Sequence, residues 1–444
     1  MSTAQDLTPP AGPPPPASPA AGRRRVSVPV VLLAVAVGVL FIAALRVVTG
    51  ASDIASSGTI GAAIGLAMPI AMAGLGGLWA ERAGVVNIGL EGMMILGTFG
   101  AGWAGYQYGP WAGVIAAVAF GAVGGSLHAL ATVTFGVDHI VSGVAINILG
   151  LGAAKYLAAV AFTGVEGGGE TQSPTIGDLP SLSVPGTASA LGEVEARGWF
   201  FVSDLAALVR GLTTGVNVLT LIGIALLLGS FFVLWRTAFG LRLCSCGESP
   251  VAAESLGVNV YLYKYLAVIA SGGFAGLAGA FLAIVASSTY RDGQTGGRGY
   301  IGLAAMIFGN WRPGGLAMGA GLFGYADALR LRQGGPSVHA LLLAIAVLLF
   351  ALAVYQLLPQ RRRSDQRGRA AQGRRERQRR PWRAAAAAAV GAVVLAWYLS
   401  TDEVPSDFTS MTPYVATLLV LALASQRLRP PARVGAVYRR GEGG

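Results

Sequence analysis

The chain alternates between long uncharged apolar runs and short polar breaks, and the runs recur from one end of the sequence to the other. Each run is about 20 residues long, enough to cross a hydrocarbon layer as a helix. They lie at about 26–48, 58–79, 88–107, 110–135, 139–162, 214–236, 263–289, 300–330, 337–357, 384–400 and 411–428. The run at 300–330 is too long for one simple span. It is interrupted at Asn310-Trp311-Arg312-Pro313-Gly314-Gly315, where proline and glycine end a helix. The pattern predicts an all-α polytopic membrane protein of about 10–11 membrane segments, including a broken segment at 300–330.

The polar breaks orient these segments. Residues 1–25 are rich in Pro, Ala and Ser and end in Arg23, Arg24 and Arg25, which reads as a disordered cytoplasmic tail. The apolar run that follows is longer than a signal-peptide core and lacks a small-residue cleavage pattern, so it reads as the first span. The stretch 163–213 carries Glu166, Glu170, Asp178, Glu193, Glu195 and Asp204, an acidic balance that suits an extracytoplasmic loop. Eleven Arg stand between 361 and 383 against Asp365 and Glu376, which marks 358–383 as a cytoplasmic loop. Entering and leaving at the 310–315 break is the only count that keeps those arginines inside. The membrane core is then 26–357, with 237–262 as its main cytoplasmic loop. Two further helices follow within 384–428, then a basic cytoplasmic tail at 429–444.

Composition agrees. The chain is 54% hydrophobic and 12% charged, with 65 Gly. Soluble domains carry about 25% charged residues, and small residues let membrane helices approach closely. The formal charge of +11 sits mostly in the Arg-rich loop, which fits contact with anionic membrane lipid and argues against nucleic acid. Cys244 and Cys246 are too few for a disulfide framework or a structural zinc.

Catalytic chemistry is hard to place. The lysines are Lys155 and Lys264, and neither follows a glycine-rich loop, so a phosphate-binding ATPase loop is missing. Lys155 reads as a snorkelling residue. His128, His139 and His339 lack metallohydrolase spacing and read as packing or interfacial histidines. No metal or cofactor site is expected. Two stretches do stand out. Residues 79–94 place Glu81, Arg82, Asn87 and Glu91 among glycines just before an apolar helix. Carboxylates at that depth normally face a cavity or a partner, and a broken helix is a recurring way to build a transport path. With one turn between them, Asn87 and Glu91 are expected on one helix face. The alternative is an interfacial Glu81–Arg82 anchor with Asn87 as a helix cap. In the second stretch, Ser249-Pro250 opens a short helix and Gly257 closes it. That helix is either a rigid peg for a partner's groove or an ordinary connector.

At these residues the chain resembles a known family. The runs ERAGVVNIGLEGMM, GESPVAAESLGVNV, GGRGYIGLAAMIFGNWRPGG and MTPYVATLLVLALASQRLRPPARVGAVYRRGE occur in the order found in permeases of nucleoside-type ATP-binding-cassette importers. These belong to the wider branched-chain amino acid and simple-sugar permease group. The resemblance covers about 58–330 and 402–440. It implies a second permease subunit, an ATP-binding subunit that hydrolyses the ATP, and an extracytoplasmic substrate-binding lipoprotein, all at a bacterial cytoplasmic membrane. It places Glu81, Asn87 and Glu91 at the substrate pathway. It puts Gly247, Glu248, Pro250, Ala252, Ala253 and Glu254 in the loop facing the ATPase. Arg298, Tyr300, Asn310 and Pro313 match further motif positions without an assigned role. Two departures are the cysteines at 244 and 246 and the insertion at 331–401.

The expected function is inward translocation of a nucleoside, with a sugar or branched-chain amino acid as the alternative cargo. An ion-coupled secondary transporter is disfavoured because Asp53, Asp138 and Asp327 lie near segment ends rather than along a proton relay. A membrane enzyme has no constellation to support it.

Overall fold

The computed structural model describes residues 28–333, 335–357, 370–405 and 428–441, together with Phe408 and Met411. The tail at 1–25, most of the apolar run at 411–428 and residues 358–369 of the Arg-rich loop lie outside the described residues. The protein is all-α and polytopic. Its helices are α1 (Val28–Thr49), α2 (Ser57–Arg82), α3 (Leu90–Tyr108), α4 (Pro110–Ala129), α5 (His139–Phe162), α6 (Thr187–Ala196), α7 (Val202–Thr213), α8 (Val218–Arg236), α9 (Ala238–Glu248), α10 (Pro250–Ser255), α11 (Val260–Ala280), α12 (Arg298–Phe308), α13 (Pro313–Gln333), α14 (Gly335–Leu357) and α15 (Ala370–Ser400). Single π-turns extend α4 through Leu130–Thr134 and α11 through Phe281–Ala286. Two short strands, β1 (Ser181–Leu182) and β2 (Val216–Asn217), pair antiparallel.

Among the described residues, six helices are long and apolar enough to cross a membrane, by length and composition. Several of their starts are set by short polar side chains. Asp138 accepts from the Ile140 and Val141 amides, Asn217 from Leu219 and Asn259 from Leu262, which occupies donors that a helix start leaves unpaired. Two differences from the sequence pattern stand out. The loop 237–262 holds a helix, α9, ahead of the expected short one, because Thr237 caps it by accepting from the Gly240 amide at 3.1 Å. Helix α15 starts at Ala370, so the described part of the Arg-rich stretch is helical.

Helices α2 and α11 form the centre, and most of their length is buried. The crossing of α4 with α11 shows why glycine is abundant. A Cβ on Gly272 would lie 2.3 Å from the Gly121 carbonyl, and one on Gly276 would lie 2.1 Å from the Ala117 carbonyl. Backbones this close exclude any side chain.

The broken segment is a hairpin measured against α2. Trp311 bonds to Glu81 near the end of α2, while Gly58 at its start lies against Arg332. Helix α12 therefore runs towards the Arg82 end of the bundle and α13 runs back to the Ser57 end. The stretch 163–217 caps that Ser57 end. Glu195 accepts from the Ser57 amide at 2.9 Å and from Arg210 at 2.8 Å. Asp204 pairs with Arg46 at 2.8 Å.

Candidate functional site

Helix α2 ends at Arg82, and the chain then turns back into the bundle as a non-helical segment, 83–89, before α3 begins. The far end of this segment is level with the middle of the long helices. Asn87 donates to the Ser271 hydroxyl at 2.8 Å, and Ser271 lies near the midpoint of α11. Irregular backbone at that depth must find its hydrogen bonds inside the protein. Here side chains from α4 and α5 supply several of them. His128 contacts the Val86 carbonyl through Nε2 at 3.0 Å. A carbonyl can only accept, so Nε2 carries the proton. In the neutral ring Nδ1 then accepts from the Ser142 hydroxyl at 2.8 Å. The Val86 amide donates to His139 Nδ1 at 3.2 Å. Asn147 donates to the Ile88 carbonyl at 3.0 Å and accepts from the Gly92 amide at 2.7 Å. Asn87 closes the segment locally by accepting from the Gly89 amide at 3.0 Å.

A second interruption mirrors the first. The π-turn after α11 ends at Ala286, and 287–297 leads irregularly to the start of α12. Met306 and Gly302 of α12 lie against Gly77 and Gly74 of α2. At about 1.5 Å per residue, the start of α12 is therefore also near the midpoint of α2. The two half-helices meet there through Glu91. Its carboxylate accepts from the Gly297 amide at 2.9 Å and the Gly299 amide at 2.7 Å. This is an acidic cap on the N-terminus of α12, supplied by the first turn of α3. The fit is close: a Cβ on Gly299 would lie 2.7 Å from Glu91 backbone atoms. Beside the joint, Asn147 donates to the Tyr300 hydroxyl at 2.9 Å, and Tyr300 is 47% exposed. Arg298 reaches across to Asp327 of α13 at 3.1 Å, and Arg330 completes that cluster at 2.9 Å.

The structure thus brings Asn87, Glu91, Arg298 and Tyr300 to one region, and Glu81 to another. Glu81 accepts from the Trp311 indole at 2.5 Å, near the Arg82 end of α2. Arg82 donates to the Trp311 carbonyl at 2.6 Å and stacks over Trp235. These bonds hold the 309–312 break, where Asn310 and Trp311 both have φ 54°, a left-handed conformation costly for residues with a Cβ. Pro313 starts α13 from this turn. Asn87 and Glu91 do not share a helix face, because α3 starts only at Leu90.

The 247–254 group lies at the same end of the bundle. Gly247 packs on the chain after α2, and a Cβ there would lie 2.3 Å from the Arg82 carbonyl. On α10, Pro250 and Ala253 are buried against the bundle, Ala252 faces outward and Glu254 is half-buried, while Glu248 at the end of α9 is exposed. Of the neighbouring cysteines, Cys246 is buried. Burial pushes its thiol up to about 11, so it stays protonated at neutral pH.

Sequence reasoning missed Asn147, Ser271 and Ser142. The signal available was a lone hydrogen-bonding side chain inside an uncharged apolar run, which is costly in a membrane unless it has a partner. His128 and His139 were read as packing residues, and their packing partner is the 83–89 backbone.

The model of the branched-chain amino acid transport system permease component matches residues 59–352. Among curated relatives, the guanosine ABC transporter permease NupQ of Bacillus subtilis is 38% identical over 274 residues, covering 60% of this chain and 79% of NupQ. The nucleoside ABC transporter permease NupC of Lactococcus lactis is 34% identical over 276 residues, covering 60% of this chain and 80% of NupC. The permease TsgC13 of Haloferax volcanii, a glucose ABC transporter permease by its name, is 34% identical over 279 residues, covering 63% of this chain and 78% of its own. No solved structure matches the chain. A joint of two interrupted helices halfway along the spans, inside a chain whose 59–352 match that model, makes this protein a member of the branched-chain amino acid transport system permease component family.

Proposed function

We propose that this chain is the permease subunit of an ATP-driven importer that carries a nucleoside inward, with the α3–α12 joint as the midpoint of its path. The observation that carries the reading is the neutral, hydrogen-bonding surface beside that joint. Tyr300 and Asn147 offer a ring face, a hydroxyl and an amide, Glu91 is occupied by two backbone amides, and Arg298 is paired with Asp327. A nucleoside is uncharged and rich in ring and hydroxyl hydrogen-bonding groups. Such a surface suits it better than a cationic cluster, which an anionic cargo would need. The names of NupQ and NupC support the same class.

Sidedness follows from charge. The Arg82 end is inferred to be cytoplasmic, since Arg236, Arg242, Arg312 and Arg433 gather there, while the acidic 163–213 stretch caps the other end. The outward-facing side of α10, with Val251, Ala252 and Leu256, is the inferred docking point for the ATP-binding subunit. A second permease subunit would complete the path, and a substrate-binding lipoprotein would deliver cargo to the 163–217 cap.

The test is uptake of radiolabelled guanosine by cells expressing the whole transporter, with unlabelled guanosine, ribose or leucine as competitors. Guanosine should compete at least ~10-fold more strongly than the other two, the size of a well-matched polar recognition. Competition by ribose or leucine in place of guanosine would transfer the reading to the sugar or amino acid members of the family.

A further inference from the structure

The segment Leu428–Gly441 crosses the Arg82 end of the bundle and touches the connections between helices in succession. The Arg429 amide donates to Asn310 Oδ1 at 2.8 Å, on the α12–α13 break. The Ala432 amide donates to Glu248 at 3.1 Å, and the Arg433 amide to the Gly247 carbonyl at 2.9 Å, both at the α9–α10 junction. The Gly435 amide donates to the Gly84 carbonyl at 3.1 Å, at the foot of the 83–89 segment. Val437 lies over Gly136 of the α4–α5 turn, where a Cβ would be 3.2 Å away. The Tyr438 hydroxyl donates to Glu254 of α10, and the Tyr438 ring packs on Tyr261 and under Lys264 of α11. Arg440 completes the contact with Glu254 at 3.0 Å.

Two properties make this more than a surface segment at rest. Most of its grip is backbone hydrogen bonding, which holds position along the chain rather than only adding affinity. Its two backbone-to-backbone attachments also lie on either side of one close contact. Arg433 holds the α9–α10 junction, and two residues on Gly435 holds Gly84, from which 83–89 climbs to Glu91. A displacement of α10 therefore reaches the joint between the half-helices through the strap at 433–435 and the re-entrant chain from Gly84 to Glu91. A direct backbone contact between Gly247 and the chain after α2 lies alongside, and the strap clamps that contact shut.

We propose that Leu428–Gly441 is a coupling strap, and that Gly435 and Tyr438 are positioning residues for transport. They tie α10 to the 83–89 segment so that movement imposed on α10 is delivered to the mid-membrane joint. The partner that would impose it is the ATP-binding subunit of the proposed function. One test arm therefore avoids that assumption.

In the chain alone, reconstituted in lipid, amide hydrogen exchange over 83–92 should rise at least ~10-fold when 431–444 are deleted, as local opening becomes easier. Exchange within α14 should stay unchanged. Equal exchange over 83–92 in both chains would overturn the proposal whatever the partners are. In the assembled transporter, Ile88→Cys reports on the re-entrant segment by its maleimide labelling rate with and without ATP plus vanadate. Both native cysteines are replaced by serine in this background, since Cys244 is only partly buried. The parent should show a nucleotide-dependent rate difference of about 5-fold or more, the size of a modest coupling free energy. Gly435→Pro removes the donating N–H and cannot adopt the φ of +81° found there. It should abolish that difference while ATP hydrolysis continues. Gly435→Asn keeps the N–H and tolerates the left-handed backbone, so it should restore the difference. Tyr438→Phe, which loses only the bond to Glu254, should fall between. A full nucleotide-dependent difference in Gly435→Pro at matched membrane level, or none in the parent while it hydrolyses ATP, would overturn the strap.

Discussion

The two interrupted helices look alike in outline and differ in how their irregular segments are held. The 83–89 segment is pinned by His128, His139, Asn147 and Ser271, and by its own Asn87. The 287–297 segment is held from outside in its first half, by Thr171, Ser173, Ile176 and Asp178. Its second half makes local turns, such as the Gly296 amide to the Gly293 carbonyl and the Arg298 amide to the Thr295 carbonyl, and is tied to α3 by Glu91 at its end. Arg291, Gly293 and Gly296 within it are exposed. The first interruption is therefore a rigid abutment that moves as one unit, and the second begins α12 with ties to Glu91 of α3 and, through Arg298, to Asp327 of α13. Movement carried by 83–89 should therefore be taken up at the contacts with α12 rather than by loosening within 83–89.

The largest effect should come from Glu91, where the two halves meet. Glu91→Ala leaves the Gly297 and Gly299 amides without their acceptor, at about 1–3 kcal/mol each. Transport at matched membrane level should fall at least ~10-fold. Glu91→Gln retains one acceptor oxygen and should fall less. Parental uptake from Glu91→Ala would remove the single-carboxylate joint from the comparison.

A different signature is expected from the abutment. His128→Leu leaves the Val86 carbonyl and the Ser142 hydroxyl unpaired, again at about 1–3 kcal/mol. Because this segment is structural, the loss should appear as lower thermal stability of the purified chain and lower membrane amount. Uptake per folded molecule should change little. If stability holds and uptake per molecule collapses, the two segments do not divide the work as described.

The smallest effect should separate Asn87→Ser from Asn87→Leu. Serine can still accept from the Gly89 amide, so its cost should stay below ~1 kcal/mol, as for exchange between good caps. Leucine loses the cap and strands the Ser271 hydroxyl. Thermal unfolding of both variants, beside guanosine uptake, decides whether Asn87 acts only as a cap and tie or also meets cargo. A Ser variant with parental stability and impaired uptake would assign it to the path.

Some of this was legible from residue order. The apolar runs and their boundaries follow from hydrocarbon thickness and helix rise, and at α2, α5, α8 and α11 a short polar residue caps the start locally. The break at 309–312 was visible because Pro313 and three neighbouring glycines act on their own backbone. The short helix at 250–255 was visible for the same reason. Helix α9 escaped because Phe239, Gly240 and the two cysteines show no strong period, and its cap, Thr237, is a residue common in loops as well.

The site was legible only in part. Glu91 and Asn87 stood out because a carboxylate and an amide at the foot of an apolar helix are expensive there. Their separate roles were hidden, since spacing cannot say whether 87–91 is helical. Asn147 and Ser271 lie 55 and 184 residues from the chain positions they hold, and no local pattern reports a partner so remote.

Sequence by itself determined that the chain spans a membrane as helices, where most helices begin, and that one span is broken, because each follows from short-range hydropathy and backbone chemistry. Only the tertiary structure decided that Glu91 caps another half-helix, that Glu81 serves the Trp311 turn instead of the joint, and that Leu428–Gly441 closes over four connections. Each of those depends on which backbone donors and acceptors remain unpaired once distant helices have packed, and that inventory exists only in the folded protein.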